Sequence, residues 1–245
     1  WHANAGTTTT NDASSTGVGT LDSVYQVNTK AGFSIVLYTG TGSAGTIAHG
    51  LGAVPKWYFI KRRSNTGHTE VYHAENTSAP ATEHLRLSAN SATEDDAQYF
   101  NDTDPTSTVF SIGDHVNVNA SSNTYVAYVF AEVEGYSKFG SYTGNGAADG
   151  PFVFTGFKPA WVMIKNTARG ADWRINDTTR QPFNDTGGHL LLANSNSSEI
   201  TNEYDIDFLS NGFKLRSSDV YENGNDEALI YMAFAEAPFK YSNAH

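Results

Sequence analysis

Three groups of acidic side chains are the first candidates for chemistry in this sequence. Carboxylate oxygens are the ligands that Ca²⁺ prefers, and a calcium-binding loop spaces them as D-x-[DN]-x-[DN]-G. No group here has that spacing, so we interpret the groups as solvated loops and expect no metal site. They are residues 94–96, the pair Asp102 and Asp104, and the set Asp219, Glu222, Asp226 and Glu227.

Zinc and nucleophilic chemistry have less support still. The chain has no cysteine, which excludes thiolate zinc sites, disulfide bonds and a Cys nucleophile. His68, His73 and His84 are near one another in the sequence, but their spacings fit no helix or strand pair that would hold zinc. No G-x-S-x-G motif is present, and nothing marks a glycosidase pair of carboxylates. We therefore expect neither an enzyme nor a cofactor.

One tryptophan segment fits a carbohydrate-binding surface. Exposed aromatic rings beside Asn, Asp and Arg side chains on β-sandwich loops are suited to sugars, because the ring is apolar and its neighbours form hydrogen bonds. Trp173, with Asn176, Asp177 and Arg180, has this composition. The alternative interpretation is that Trp173 is a strand residue packed in the core.

Six asparagines lie in the N-x-[ST] motif of N-linked glycosylation. A glycosylating host would modify such residues if they are exposed. In a chain rich in Asn, Ser and Thr the motif also arises by chance, and we favour that interpretation. The six are Asn76, Asn101, Asn119, Asn176, Asn184 and Asn196.

The charge of the chain argues against two classes of partner. With 15 Lys and Arg against 26 Asp and Glu, the formal net charge is -11. Such a chain has no basic footprint for nucleic acid and is repelled by an anionic membrane surface. No apolar stretch approaches the roughly 18 residues that span a bilayer. The chain opens on Trp1 without a signal-peptide pattern, so we predict a processed chain or part of a longer polypeptide.

An internal repeat decides the predicted architecture. Segments recur 104 residues further along the chain, and one intervening segment recurs at 105. Chance matches would not keep one offset over this length, so we infer a duplication over about residues 33–135 and 139–241. Trp57 and Trp161 hold equal positions near a proline and are predicted core residues. The matching pairs are residues 38–40 and 142–144, 50–61 and 154–165, 84–87 and 189–192, and 130–132 and 234–236.

Each repeat is predicted to be a β-sandwich. Aromatic and β-branched runs of strand length alternate with Gly and Asn turn clusters, and helical periodicity is absent. About eight short strands in about 100 residues suit two sheets packed face to face, as in jelly-roll and lectin-like folds. The predicted fold is all-β, with two tandem modules at residues 32–135 and 136–245.

Residues 1–31 are predicted to stand apart as an extended arm or linker. Residues 6–17 are polar and of low complexity, whereas residues 21–27 alternate like an edge strand. An unpaired strand of this kind can add to a sheet edge of a neighbouring protomer. The residues that would do so are Leu21, Val24, Tyr25 and Val27.

Several segments resemble an uncharacterised repeat domain of virion and tail-fibre-like proteins of aquatic tailed phages. The likeness lies in residues 32–40, in His49-Gly50-Leu51-Gly52 with Pro55, in residues 130–146 and in residues 234–241, and it covers nearly the whole chain after residue 31. Residues 1–6, at the start of the predicted arm 1–31, also resemble the end of a preceding unit of this kind. The resemblance implies a structural or adhesive context, and it provides no catalytic residue to carry over.

From this resemblance we expect a building block of an extracellular fibre, such as a phage tail-fibre or virion protein. Its partners would be copies of itself, other virion proteins and a cell-surface glycan. Two alternatives stay open: a self-polymerising filament subunit assembled through residues 21–27, and a lectin-like module that binds glycans at Trp173. Any function beyond the scaffold is expected where the repeats differ, as in the acidic residues 94–105.

Overall fold

The computed structural model describes residue 3, residues 7–182, residue 184, residues 188–201 and residues 206–237. This part of the chain is built mainly from antiparallel strands, which confirms the predicted all-β class. The chain divides into two compact units. The first comprises Trp1–Leu87 and Glu94–Glu132, and the second comprises Ser88–Thr93 and Val133–His245.

Short strands joined by turns and single-turn helices make up the first unit. The strands are β1 (Thr9–Asn11), β2 (Ser23–Asn28), β3 (Phe33–Thr39), β4 (Gly45–Ala48), β5 (Trp57–Arg62), β6 (Thr69–His73), β7 (Glu83–Arg86), β8 (Glu94–Asp95), β9 (Val109–Ile112) and β10 (Thr124–Phe130). The helices are α1 (Ala13–Thr16), α2 (Ala97–Phe100) and α3 (Val116–Asn119), with a 3-10 turn at Pro80–Thr82.

Two sheets enclose the core of the first unit. The large sheet has the order β1-β2-β3-β10-β5-β6-β7-β8, and β4 pairs with β9 in the small sheet. Side chains alternate between the faces of a strand, so every second residue of the large sheet turns toward the small one. Val36, Ile60 and Val129 pack there with Ile47 and Phe110, and all five are essentially inaccessible to water. Removal of this apolar surface from water is the main stabilising force.

The N-terminal strand belongs to the large sheet, so the prediction of a separate arm is wrong for the described residues 9–28. β2 pairs with β3 over its whole length, from Ser23 opposite Tyr38 to Asn28 opposite Phe33. β1 then pairs with β2. Residues 1, 2 and 4–6, which were predicted to end a preceding unit, lie outside the described residues.

Two glycines leave the space in which the side chains of residues 21–28 pack against the rest of the first unit. A Cβ atom on Gly45 would lie 2.3 Å from the side chain of Leu21, and one on Gly50 would lie 2.3 Å from the ring of Tyr25. Only glycine leaves this space, so Leu21 is buried and bridges to Ile47. The four residues predicted to add to a neighbouring protomer instead complete the first unit: Leu21, Val24, Tyr25 and Val27.

The second unit has the same strand order as the first from β3 onward. Its large sheet is β11-β19-β13-β14-β15-β16, which corresponds strand by strand to β3-β10-β5-β6-β7-β8, and its small sheet is β12-β18-β17. The strands are β11 (Ser137–Thr143), β12 (Phe152–Phe154), β13 (Pro159–Asn166), β14 (Arg174–Asp177), β15 (His189–Leu192), β16 (Ile200–Thr201), β17 (Ile206–Leu209), β18 (Gly212–Leu215) and β19 (Ala228–Ala235), with helix α4 (Val220–Asn223).

A buried asparagine ties three segments of the first unit together. At the end of α3, the Nδ2 of Asn119 donates to the carbonyl oxygens of Ser43 at 2.7 Å and Gly113 at 2.8 Å. Its Oδ1 accepts from the backbone N–H of Thr41 at 2.8 Å. These bonds satisfy polar groups that would otherwise be buried without partners, and they hold the β3–β4 loop against α3.

The second unit contains the same arrangement 104 residues further on. The Nδ2 of Asn223 donates to the carbonyl oxygens of Ala147 and Ser217, each at 2.8 Å, and its Oδ1 accepts from the N–H of Asn145 at 2.8 Å. A tyrosine hydroxyl stands beside each asparagine: Tyr38 donates to the carbonyl of Val118 and Tyr142 to that of Glu222, both at 2.6 Å. We call these two arrangements the asparagine clamps.

Replacing Asn119 with alanine is expected to lower the free energy of unfolding by about 3 kcal/mol, because one N–H and two carbonyl groups would lose a buried partner. Urea denaturation measures the effect. The exposed Asn65, which accepts a local bond from the N–H of Thr66, provides the control. Asn65→Ala should change stability by less than about 0.5 kcal/mol. Equal losses in the two variants would contradict a clamp at Asn119.

Candidate functional site

The predicted glycan-binding residues lie largely inside the second unit. Trp173 and Asn176 are both 0% exposed. Asp177 is also buried and forms an ion pair with Arg180, which lies 3.3 Å from Glu199. A buried ring offers no face to a sugar, so the prediction of a binding surface at Trp173 is wrong, and the alternative of a packed core residue is the correct one.

The other two predicted core tryptophans differ in burial. Trp57 is 1% exposed and stacks on Phe130 with ring centroids 4.7 Å apart. Trp161 is only half-buried and tilts against Phe234 at 5.6 Å. The core prediction is therefore correct for Trp57 and only partly so for Trp161.

Burial separates the six glycosylation motifs into two groups. An oligosaccharide needs an exposed acceptor, and the amide of Asn119 is already used in its clamp. The buried asparagines are Asn76, Asn119 and Asn176. The exposed ones are Asn101, Asn184 and Asn196, and of these the amide of Asn184 is bonded at both ends to the backbone of Phe208.

Several of the acidic residues predicted to lie in solvated loops form structural hydrogen bonds or ion pairs instead. Asp96 caps α2 by accepting from the N–H of Gln98 at 2.9 Å, and Glu94 pairs with Arg86. Glu222 is 1% exposed, so its interpretation as a solvated residue is wrong. Within the described residues, no group of three or more His, Asp or Glu side chains is arranged to hold a metal ion. No helix there is long and apolar enough to cross a bilayer.

The most unusual polar site of the first unit is a buried cluster around Glu70 on β6. Its Oε1 accepts from the Nδ2 of Asn117 on α3 at 2.7 Å. Its Oε2 lies 3.7 Å from the Nε2 of His84 and 3.8 Å from the Nε of Arg86, both on β7. Glu70 is 0% and His84 1% exposed. Together with Tyr99, these residues are called the Glu70 cluster.

Aromatic stacking extends this cluster to α2 and α3. The ring of Tyr99 lies between those of His84 and His115, with centroids 3.6 Å and 4.2 Å away. The hydroxyl of Tyr99 is 3.1 Å from the Nε2 of His115. Tyr99 comes from residues 94–105, where the repeats differ, and its 3% exposure shows that this segment covers the core rather than forming a free acidic loop.

Burial shifts both ionisable groups toward their neutral forms. It raises the pKa of Glu70 to about 7, against the opposing effects of the Asn117 hydrogen bond and of Arg86. Burial, together with the nearby charge of Arg86, lowers the pKa of His84 to about 4. Perturbed pKa values occur at catalytic sites and also in structural networks. Because both side chains are sealed from solvent, we interpret this pair as a link between β6, β7 and the short helices.

The second unit carries a cluster of opposite polarity at the corresponding place. Arg174 lies 104 residues after Glu70 and is 4% exposed. Its Nη1 is 3.0 Å from Asp219 and 3.4 Å from Glu222, and its guanidinium carbon is 5.2 Å from the ring centroid of Tyr221. In each unit a buried ionisable residue of the large sheet thus holds the helix that carries the asparagine clamp.

A pocket also recurs in the two units. Its volume is about 340 Å³ in the first unit and about 230 Å³ in the second. Four positions separated by 104 residues line both pockets. Three change from apolar to polar, namely Val54 to Lys158, Ala74 to Thr178 and Pro80 to Asn184, and the fourth changes from Asp104 to the apolar Phe208. Sequence reasoning named only Asn184 among the polar residues of the second pocket, as a glycosylation motif. Comparison of the repeats outside their matching segments would have singled out the others.

The fold and these sites define a two-unit, all-β protein. A family model described as a domain of unknown function, DUF7483, matches residues 1–238 and therefore spans both units. The chain belongs to this DUF7483 family. Comparison with curated proteins and with solved structures gives no match.

Replacing Glu70 with glutamine is expected to stabilise the chain more as the pH rises. The ordinary pKa of the glutamate side chain is 4.5, and that of Glu70 in the folded chain is about 7. Between these two pH values the folded chain keeps a proton on Glu70 that the unfolded chain has lost. Wild-type stability therefore falls over this range. Glutamine keeps the acceptor for Asn117 and carries no charge, so its advantage should grow from near zero at about pH 4 to on the order of 3 kcal/mol at about pH 8.

Urea denaturation of both proteins at several pH values measures this difference. Glu75→Gln, at an exposed carboxylate 4.0 Å from Lys56, is the matched control and should show no comparable slope. A stability difference between Glu70→Gln and wild type that stays constant with pH would contradict the raised pKa.

Proposed function

We propose that the chain is a structural and adhesive building block of an extracellular fibre. A phage tail fibre or another virion structure is the setting that the sequence resemblance favours. In such a fibre the partners are copies of the chain, other virion proteins and a cell-surface glycan. The proposal gives the chain no catalytic role.

The observation that carries this proposal is the recurrence of one hydrogen-bonded frame in both units. The clamps at Asn119 and Asn223 join equivalent segments with nearly equal distances. Between these frames the loops, the buried charges and the pocket linings differ. A frame that is kept while its loops vary suits a scaffold protein, because a rigid support lets surface segments change without loss of the fold.

The burial of the chemically distinctive groups also supports a structural role. Glu70 and His84 have shifted pKa values but are sealed from solvent. In the second unit, the buried Lys165 donates to the carbonyl oxygens of Asn166 and Arg169, at 2.6 and 3.2 Å. These side chains form hydrogen bonds and ion contacts with other buried polar groups.

The chain is expected to form fibres or regular oligomers whose size grows with concentration. Its net charge of -11 makes copies repel one another, so assembly should be stronger at high than at low salt. Analytical ultracentrifugation and electron microscopy over a concentration series test this expectation. Discrete monomers at every concentration and salt level would contradict the proposal.

Strand addition through β2 is a separate route to assembly that a disulfide can test. Val24 and Leu37 are register partners of β2 and β3, and Cα atoms of such pairs lie within disulfide range. The chain has no other cysteine. Val24→Cys with Leu37→Cys should therefore lock β2 onto its own sheet, and we expect assembly to persist. Assembly of the reduced but not the oxidised variant would show instead that β2 is exchanged between protomers.

A further inference from the structure

The pocket of the second unit contains a buried amide that has no partner. Gln181 is 2% exposed, and neither its Oε1 nor its Nε2 has a hydrogen-bond partner. Its backbone N–H donates to the carbonyl of Asp177 at 3.1 Å. The two atoms without a hydrogen-bond partner are therefore those of the side-chain amide. An unpaired buried amide destabilises a fold. The amide lies in the lining of a cavity of about 230 Å³, where a ligand would complete its hydrogen bonds.

The other described residues of the lining are mostly polar, and their two charges cancel. Lys158 and Glu236 form an ion pair at 2.7 Å, with each side chain about half exposed. Thr178 provides a hydroxyl group. Phe208 packs in the core of the unit, and its backbone N–H and carbonyl are bonded to the amide of Asn184 at 2.9 and 3.1 Å. A bound anion would face the carboxylate of Glu236, and a bound cation would face the amine of Lys158. The lining therefore favours a neutral ligand that both donates and accepts hydrogen bonds.

The first unit shows that the fold does not require this polarity. Val54, Ala74 and Pro80 line the first pocket at the positions of Lys158, Thr178 and Asn184. An apolar lining at these positions is compatible with the same strand order, so the strand order does not require Lys158 or Thr178. Asn184 has a structural role, because both ends of its amide are bonded to the backbone of Phe208. The unpaired amide of Gln181 is an independent observation that points the same way.

We propose that the second pocket binds one neutral sugar ring. Hydroxyl groups on a ring both donate and accept hydrogen bonds, as the amide of Gln181 requires. A water molecule takes about 30 Å³ of liquid volume, so the cavity has space for several waters or for one small ring. The site deepens the adhesive part of the proposed function, because the ring would be part of a surface glycan.

Saturation-transfer NMR on the full chain tests this site with methyl glucoside, methyl galactoside, methyl mannoside and N-acetylglucosamine. At least one should bind at millimolar concentration. Gln181→Leu should weaken that binding about tenfold or more. Its melting temperature should equal or exceed that of the wild type, because a leucine leaves no unpaired amide. Thr178→Ala introduces the residue found at this position in the first unit, and it should weaken binding several-fold.

Thr77→Leu is the matched control, since Thr77 lies 104 residues before Gln181 in the first unit. It should leave sugar binding unchanged. The proposal is overturned if none of the four sugars binds, if Gln181→Leu binds as well as the wild type, or if that variant melts at a lower temperature, which would show a structural role. The measurement uses dispersed chains, so its failure is distinguishable from a failure of fibre assembly.

Discussion

Each unit depends on the side-chain amide of a buried asparagine of its own. The carbonyl groups of Ser43 and Gly113 and the N–H of Thr41 belong to loops that leave the regular sheets, so strand pairing cannot satisfy them. Asn119 satisfies all three, and Asn223 does the same in the second unit. Glycine is needed nearby: a Cβ on Gly40 would lie 2.4 Å from the carbonyl oxygen of Ala120, and one on Gly144 would lie 2.2 Å from that of Gly224.

The helix that carries each clamp contacts a buried ionisable residue of the large sheet. This residue is acidic in the first unit and basic in the second. Glu70 holds α3 through Asn117, whereas Arg174 holds α4 through Asp219 and Glu222. A buried charge is tolerated only with partners, and the whole network must change when the charge is reversed. The first unit meets this condition partly by leaving Glu70 near neutrality, as its raised pKa shows. The strand order is the same with Glu70 or Arg174 at this position, which indicates that the residue there has a structural role.

The sequence predicts the strands better than it predicts their partners. Alternation and turn residues identify β3, β5 and β10, because burial of one face leaves a period of two. The same alternation in residues 21–27 cannot show that the strand joins its own sheet, since that depends on the space left by Gly45 and Gly50. Nor does the composition around Trp173 reveal its burial, which the surrounding strands decide. Gln181 has no local signal, because an unpaired amide is a property of the assembled pocket.

The differences between the units are more informative about binding than their similarities. Positions shared at the offset of 104, such as Asn119 and Asn223, are explained by the fold alone. Val54 and Lys158 occupy equivalent places in a pocket, so the fold accepts either residue there. A buried polar group that no structural bond requires costs stability, and only one of the two pockets contains such a group, Gln181, among its described lining residues. The asymmetry of the pockets therefore favours one unit as the ligand-binding unit and leaves the other with a scaffold role.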